Sequence, residues 1–256
     1  MNNAAGPGAL VEALGRERVL IGFPNAAGYR VGHVMHCLAG TKKDKSFVPF
    51  GEVDGRITER TRQVATILES ASGFGATIRT DMDTWLKYHV ALLFPSLAPA
   101  LRAAGVDNYR LARTRDLVVL AIRAMREAFR VLGSLGLPIT PSKFRLFAWL
   151  PEPLAVLFFR RLLSNPLMET ALVKHAEAAR DEVQHLIGEF MALARTTSVP
   201  TPTIDHLLRY YEPNAPEVPD GSAEIPVSWG GMLLVAGLLL GLLIALVVAL
   251  TRFIGA

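Results

Sequence analysis

The pattern of apolar and polar positions divides the chain into two regions near residue 81. Before this point, apolar residues form short runs bounded by Gly, Pro and Asn, which indicate β-strands. Two such runs lie at 18–23 and 45–50, and a weaker third run lies at 76–79. Between them, residues 58–72 open with a capping Thr and repeat apolar positions every three to four residues, so they predict a helix.

After residue 81 the apolar positions recur at helical spacing, and the sequence lacks the alternation that is typical of exposed strands. Gly or Pro residues interrupt this pattern where helices should end. The second region is therefore predicted to be all helical. The predicted helices are 83–104, 109–135, 153–163, 167–196 and 203–211.

The last apolar run, residues 230–250, carries no charged side chain. About 20 apolar residues are what a helix needs to cross roughly 30 Å of hydrocarbon, so this run predicts a membrane-spanning helix. A buried helix is the alternative, although such helices are rarely apolar on every face. Gly237 and Gly241 have a spacing that lets two membrane helices approach closely, but scattered glycines explain them equally well.

These patterns together predict an α+β protein with one C-terminal transmembrane helix. Residues 1–80 form an incomplete α/β domain, whose few strands leave edges that missing residues or another chain would cover. Residues 81–212 form the helical domain. Residues 213–228, rich in Pro and acidic side chains, predict an unstructured linker. Residues 229–252 form the anchor.

Charge and cysteine content narrow the class of protein. The 27 Lys and Arg residues exceed the 23 Asp and Glu residues by only four and are spread along the chain, so a nucleic-acid surface is not expected. The single cysteine, Cys37, cannot form an internal disulfide, which favours a reducing compartment. The N-terminus lacks the pattern of a signal peptide. We therefore expect a membrane-anchored protein whose large domain lies in the cytoplasm.

One candidate for chemistry is Lys87, which follows Trp85 and precedes a long apolar stretch. A lysine in this setting would be partly desolvated and able to give a proton to a developing alkoxide. The alternative is a lysine at the rim of a helix that extends its ammonium group into water.

A second candidate is the row of Asp181, His185 and Glu189, which lie at successive four-residue steps on one helix face. Such a row could order a substrate or bind a metal ion. Glu182 and His185 match the Glu-x-x-His of di-iron bundles, but the sequence has no second copy. A solvated charged face is the alternative, and we assign no metal site. Glycine-rich phosphate-binding motifs are also absent from the sequence.

The order of these segments resembles a known family, the ketopantoate reductases (2-dehydropantoate 2-reductases), over nearly all of residues 1–212. The segment DMDTWLKYHVALLFP resembles the family helix that bears the catalytic lysine. MREAFRVLGSLGLPITP is similar to the next helix, and HAEAARDEVQHLIGEF resembles the closing signature. MNNAAGPGALVEALGRERVLIGFP looks like the Asn-containing turn that closes the family's cofactor domain.

This resemblance implies a truncated Rossmann-like cofactor domain, followed by a helical domain similar to the C-terminal domain of 6-phosphogluconate dehydrogenase. It implies NADPH-dependent reduction of a 2-oxo acid, as in pantothenate biosynthesis. By the same resemblance, Lys87 would be the general acid, Glu189 the substrate-assisting carboxylate, and Asp181 a substrate-binding residue. Asn3 would lie near the nicotinamide.

The sequence departs from the family at three substrate-binding positions. Ala91 and Pro95 stand where the family commonly has asparagines, and Glu177 stands in place of a serine. These changes leave a related 2-oxo acid or another carbonyl compound as alternative substrates. The glycine-rich turn expected before Asn3 is also missing, so an upstream segment or a separate polypeptide would have to bind the cofactor.

The alternative function is a non-catalytic, membrane-tethered remnant of this family, which binds a small acid or a partner protein. A homodimer is a further hypothesis, with contacts through the helical domain or through Gly237 and Gly241.

Overall fold

The computed structural model describes residues 3–38, 40–212 and 215–254. The chain is mostly helical and contains two small sheets. The strands are β1 (Leu20–Gly22), β2 (Ala27–Val31), β3 (Val34–Leu38), β4 (Ser46–Glu52) and β5 (Phe74–Ile78). The first helices are α1 (Gly8–Leu14), α2 (Glu59–Ser70), α3 (Met82–Leu92), α4 (Ala98–Ala103), α5 (Asn108–Arg113) and α6 (Arg115–Ser134).

The later helices are α7 (Phe144–Trp149), α8 (Glu152–Leu163), α9 (Pro166–Met168), α10 (His175–Ala178), α11 (Arg180–Ala194), α12 (Pro202–Leu208) and α13 (Gly230–Ile254). The described residues also form two π-helical segments, Leu93–Leu97 and Glu169–Lys174, and two 3-10 turns, Arg16–Arg18 and Arg209–Tyr211.

Strand β4 is the centre of the three-stranded sheet. It pairs antiparallel with β1, where Ile21 lies opposite Gly51, and parallel with β5, where Val48 lies opposite Ala76. All three predicted strands therefore form. The β2–β3 hairpin was not predicted. Its strands contain apolar residues such as Val31, Val34 and Met35, but these side chains are exposed and do not form a regular alternation with polar ones. It is held partly by stacking of Tyr29 on His36.

Helix α2 begins as the sequence predicts, with Thr58 as its capping residue. The Thr58 hydroxyl oxygen accepts a hydrogen bond from the backbone N–H of Thr61 at 3.2 Å, and the Thr61 hydroxyl oxygen accepts one from the N–H of Thr58 at 3.0 Å. This reciprocal pair satisfies two backbone donors that the helix leaves free. The Thr58 hydroxyl also donates to Glu52 on β4, which ties the helix to the sheet.

The core of the helical region forms around α6. Its buried face contacts α3, α8 and α12, and its residues Leu117, Ala124 and Leu132 are fully buried. The predicted helix 83–104 exists but changes geometry midway, because Pro95 has no N–H for the helical ladder and the backbone adopts the π-helical segment Leu93–Leu97 there.

Residues 215–228, which we call the C-terminal strap, lie extended along α5, α6 and α8. The carboxylate of Asp116 accepts hydrogen bonds from the N–H groups of Glu224 and Ile225, each at 2.8 Å. Arg113 pairs with Asp220 at 2.6 Å. The sequence predicts a Pro-rich acidic linker at residues 213–228, because this composition disfavours helix. In the structure, carboxylates and arginines of the helical region bind the backbone and the charged side chains of the strap.

The predicted transmembrane helix is wrong. Residues Gly230–Ile254 do form α13, but within the described ranges of the chain no helix is long and apolar enough to cross a membrane. The predicted fold class is corrected in this respect. The lipid bilayer as a partner of residues 230–250, and the membrane localisation, are withdrawn with it.

Candidate active site

Helix α3 places Lys87 at the edge of the helical core. Its neighbours Leu86 and Tyr88 are buried, and Lys87 itself is only 8% exposed. The Lys87 ammonium group donates a hydrogen bond to the Oδ1 atom of Asp83 at 2.5 Å. Because the two residues are four positions apart on one helix, the ion pair is a local consequence of the sequence.

The turn of residues 3–6 covers this ion pair. The Asn3 side chain closes the turn, because its Oδ1 atom accepts a hydrogen bond from the Gly6 N–H at 2.5 Å and its Nδ2 atom donates to the Gly6 carbonyl oxygen at 3.0 Å. A Cβ atom at Gly6 would lie 3.4 Å from the Lys87 Nζ atom and 3.4 Å from the Asp83 Oδ1 atom. The backbone of the turn therefore approaches the ammonium group closely.

Glu189 on α11 holds the same turn from the other side. Its Oε2 atom accepts hydrogen bonds from the N–H groups of Ala4 at 2.9 Å and Ala5 at 3.3 Å. Its Oε1 atom lies 3.1 Å from the Nε2 atom of His185, one helical turn away. Thus Asn3, Lys87 and Glu189, which the sequence places far apart, meet at one turn.

The remaining predicted site residues do not join this group. Ala91 and Pro95 are buried in the helical core and offer no polar side-chain atom. Asp181 is exposed on α11, about 12 Å along the helix axis from Glu189 at 1.5 Å per residue. Glu177 is exposed and lines a different cavity, next to Arg102 and Tyr211.

Sequence reasoning missed two residues of this arrangement. Asp83 could have been found, because an acidic residue one helical turn before a semi-buried lysine is a common ion-pair spacing. Gly6 gave no comparable signal. Its φ of +91° is required by the shape of the turn, and only the folded chain brings that turn to Lys87.

A cavity of about 230 Å³ lies beside Asp83, between the end of β4 and the start of α3. Its acidic residues are ion-paired: the Arg60 guanidinium holds the pKa of Glu52 below its ordinary value. Burial alone would raise the pKa of Asp81, but hydrogen bonds from Arg79 and Thr140 outweigh it, so this pKa is lowered as well. The acidic side chains in this cavity are Glu52, Asp54, Asp81 and Asp83.

The residues around Lys87 differ from the usual binding sites of a metal ion and of a nicotinamide dinucleotide. Within the part of the chain that the structure describes, no three His, Cys, Asp or Glu residues are placed to hold a metal ion. For a nicotinamide dinucleotide, the 256 residues contain no glycine-rich G-x-G-x-x-G turn to receive the pyrophosphate. The Asn3 side chain is also occupied by its own turn. The residues present do not by themselves fit the whole cofactor.

The helical region matches a known protein family. The family model described as ketopantoate reductase PanE/ApbA C terminal matches residues 81–212. A protein described as a ketopantoate reductase from Ralstonia solanacearum MolK2 is similar in structure, with a TM-score of 0.57 and 19% identity, over 78% of this chain and 56% of that chain. No curated protein sequence is detectably similar.

Two further solved structures are similar in fold. A dimeric ketopantoate reductase from Staphylococcus aureus has a TM-score of 0.55 and 14% identity, over 78% of this chain and 62% of that chain. A D-mandelate dehydrogenase in complex with NADH has a TM-score of 0.59 and 13% identity, over 81% of this chain and 67% of that chain. The chain therefore spans little more than half the length of the ketopantoate reductases it matches.

The family match covers just over half of the chain, and it falls on the helices that carry Lys87 and Glu189. The similar structures have the same fold there. This protein belongs to the ketopantoate reductase family, whose C-terminal domain it contains at residues 81–212.

Proposed function

We propose that this chain binds a 2-oxo acid or a related carbonyl compound and supplies the proton for its reduction, with Lys87 as the general acid. The observation that carries this proposal is the meeting of Lys87, Glu189 and Asn3 at one turn. The family to which the chain belongs is consistent with such an oxidoreductase.

In the proposed reaction, a hydride adds to the carbonyl carbon and the carbonyl oxygen becomes negative. The Lys87 ammonium group then gives a proton to this oxygen, so that the carbonyl becomes an alcohol and the lysine is left neutral. Because Lys87 is buried, its charge acts on the oxygen with little screening by water. Asp83 orients the ammonium group. NADPH would be the hydride donor in this family, and the glycine-rich turn that would bind its pyrophosphate is not among these residues.

We assign Glu189 a positioning role. Both of its carboxylate oxygens already have protein partners, namely the N–H groups of the turn and the ring of His185. This geometry favours a residue that holds the Asn3 turn against Lys87 over one that contacts a substrate directly. Substrate contacts by Asp181, Glu177, Ala91 and Pro95 stay predictions from the family resemblance.

A second function is favoured by a specific observation, the lack of a phosphate-binding turn anywhere in the 256 residues. In this alternative the chain binds a small acid without reducing it. The two functions share the ligand and differ in whether the bound molecule turns over.

The test uses the whole chain with ketopantoate and NADPH, and follows the loss of NADPH absorbance. We expect the Lys87→Ala variant to lower turnover about a hundredfold to ten-thousandfold, as for loss of a general acid. Lys143→Ala is the matched control, because Lys143 is exposed and belongs to no ion pair among the described residues.

Equal turnover in the wild type and Lys87→Ala would remove Lys87 from the mechanism. If the wild type shows no NADPH binding at about 1 mM cofactor, the chain is not a self-sufficient reductase. Binding of ketopantoate, measured by NMR on the same sample, would then favour the non-catalytic function.

A homodimer also stays a prediction. One similar structure is a dimeric enzyme, and the helical region of this chain exposes large apolar side chains on α7 and α8, including Trp149 at 82% and Leu157 at 67%. Sedimentation equilibrium of the whole chain, compared with a Trp149→Glu variant, would measure the association directly.

A further inference from the structure

A small cavity lies between α4, the start of α11 and the 3-10 turn Arg209–Tyr211. Its volume is about 170 Å³. One part of its wall is apolar and is formed by side chains such as Leu101 and Val183. The other part is polar. The residues that give the cavity its chemistry are Arg102, Val106, Glu177, Arg180, Gln184 and Tyr211.

The polar wall carries excess positive charge. Arg102 and Arg180 contribute two guanidinium groups and Glu177 one carboxylate, which leaves one net positive charge. Arg102 and Arg180 are both exposed, and among the described residues neither guanidinium forms an ion pair or a hydrogen bond, so both are free to bind an anion at the mouth of the cavity. A planar guanidinium is well suited to a carboxylate, because it can donate two parallel hydrogen bonds.

Tyr211 adds a neutral donor to the same wall. Burial raises the pKa of its hydroxyl group to about 12, so the phenol keeps its proton at physiological pH. The nearby charge of Arg102 acts in the opposite direction but does not overcome burial. A protonated hydroxyl beside two guanidinium groups can donate a third hydrogen bond to an anion.

The backbone at the rim of the cavity is strained. Val106 has a φ of +60°, in a region that β-branched residues rarely adopt. Its N–H donates to the Leu101 carbonyl oxygen at 2.9 Å, which closes the end of α4 and places Val106 in the cavity wall.

This cavity is separate from the site at Lys87. The nearly continuous helical run from Lys87 to Leu101 extends about 20 Å at 1.5 Å per residue. One small molecule cannot contact both ends. The cavity therefore needs an explanation of its own, independent of the function proposed for Lys87.

We propose that the cavity between α4 and α11 binds a monocarboxylate with a short branched alkyl chain. The carboxylate pairs with Arg102 and Arg180 and accepts a hydrogen bond from Tyr211. The alkyl chain packs on Leu101 and Val183. A single negative charge matches the single net positive charge of the wall, whereas a dianion would be repelled by Glu177.

The test titrates the whole ¹⁵N-labelled chain with isovalerate and follows amide shifts by NMR. We expect a dissociation constant of about 1 mM, as for a small ligand with one charged contact. The largest shifts should lie at Val106 and Gln184. The neutral analogue isovaleramide should bind at least tenfold more weakly, because it loses the charge-assisted hydrogen bonds.

Arg180→Gln should weaken isovalerate binding at least tenfold, and Arg161→Gln, an exposed arginine on α8, should leave it unchanged. Lys87→Ala should also leave it unchanged, which separates this site from the proposed active site. The proposal is overturned if isovalerate does not bind, if isovaleramide binds equally well, if Arg180→Gln binds like the wild type, or if Lys87→Ala abolishes binding.

Discussion

The helical region and the α/β region differ most in how they bury apolar side chains. The helical region has one large core that extends from α3 to α12. Among the described residues, the α/β region has a cluster of four buried residues, Val19, Ile21, Met82 and Leu86. Two of these four belong to α3, which is part of the helical region. The sheet therefore depends for its buried contacts on α3, which belongs to the helical region.

This difference explains where the candidate site lies. Helix α3 packs against the large core on one side and the small cluster on the other, and it carries Lys87 between them. Ala4, in the turn that covers Lys87, is fully buried and belongs to the large core. The site is thus anchored on the more stable region. Since regions with few apolar contacts open at lower free energy, we expect the sheet to open before the site does.

The largest effect should come from a truncation in the helical core. Leu117 is fully buried on α6, so Leu117→Ala should lower the free energy of unfolding by about 3–5 kcal/mol through lost burial and a cavity. Because the sheet depends on α3, hydrogen exchange should speed up in both regions. Denaturant titration and hydrogen exchange on the same variant measure the two quantities.

The matched control is Leu154→Ala on α8, where the leucine is 42% exposed and its loss should cost about 0.5 kcal/mol. If Leu117→Ala left exchange in β4 and β5 unchanged, the sheet would have a stability of its own and the comparison would be wrong.

The sequence predicted the helices and strands better than it predicted the contacts between distant segments. Periodicity located α2, α3 and α6, and short apolar runs located β1 and β4, because these signals are local. The turn at Asn3 and its contacts with Glu189 could not be predicted, since they depend on which distant segments meet. The family resemblance pointed to Lys87 and Glu189 but assigned no partner to either.

One prediction was wrong because composition does not specify environment. The run at 230–250 is apolar and predicts a membrane-spanning helix, whereas the structure has no helix within its described residues that could span a membrane. The strap at 215–228 is Pro-rich and acidic, and this composition predicts a linker without indicating what it contacts. Composition does not reveal the partner surface, which for the strap is a set of charged side chains on α5, α6 and α8.

A smaller effect is expected where the strap joins the helical region. Asp116→Asn removes a charged acceptor from the N–H groups of Glu224 and Ile225, so it should lower the free energy of unfolding by roughly 1–3 kcal/mol. Hydrogen exchange at these two amides should rise more than exchange in α6. Asp44→Asn, at an exposed position in a loop, is the control and should change neither quantity.

The same carboxylate predicts a pH dependence. Burial alone would raise the pKa of Asp116, but hydrogen bonds from Ser222, Glu224 and Ile225 outweigh it, and the folded pKa lies below the ordinary value of 3.8. A lowered pKa stabilises the folded state above pH 3.8, and this contribution is lost as the pH falls through the folded pKa. The stability difference between the wild type and Asp116→Asn should therefore be constant between about pH 5 and 7 and shrink below about pH 4. A difference that grew on acidification would contradict the assignment.

The smallest effect should come from the α/β region itself. Thr58→Ala removes the side-chain cap of α2 and the hydroxyl that donates to Glu52, which should cost about 1 kcal/mol. Thr66→Ala is the control, because its hydroxyl donates only to a carbonyl oxygen within the same helix. Suppose that α3 stabilises the sheet but the sheet does not stabilise α3. Amide hydrogen exchange in Thr58→Ala should then rise in α2, β4 and β5 and stay unchanged in α6. Equal loss of protection in α6 would show that the dependence runs both ways, and the Lys87 helix would then be stabilised by the sheet as well as by the helical core.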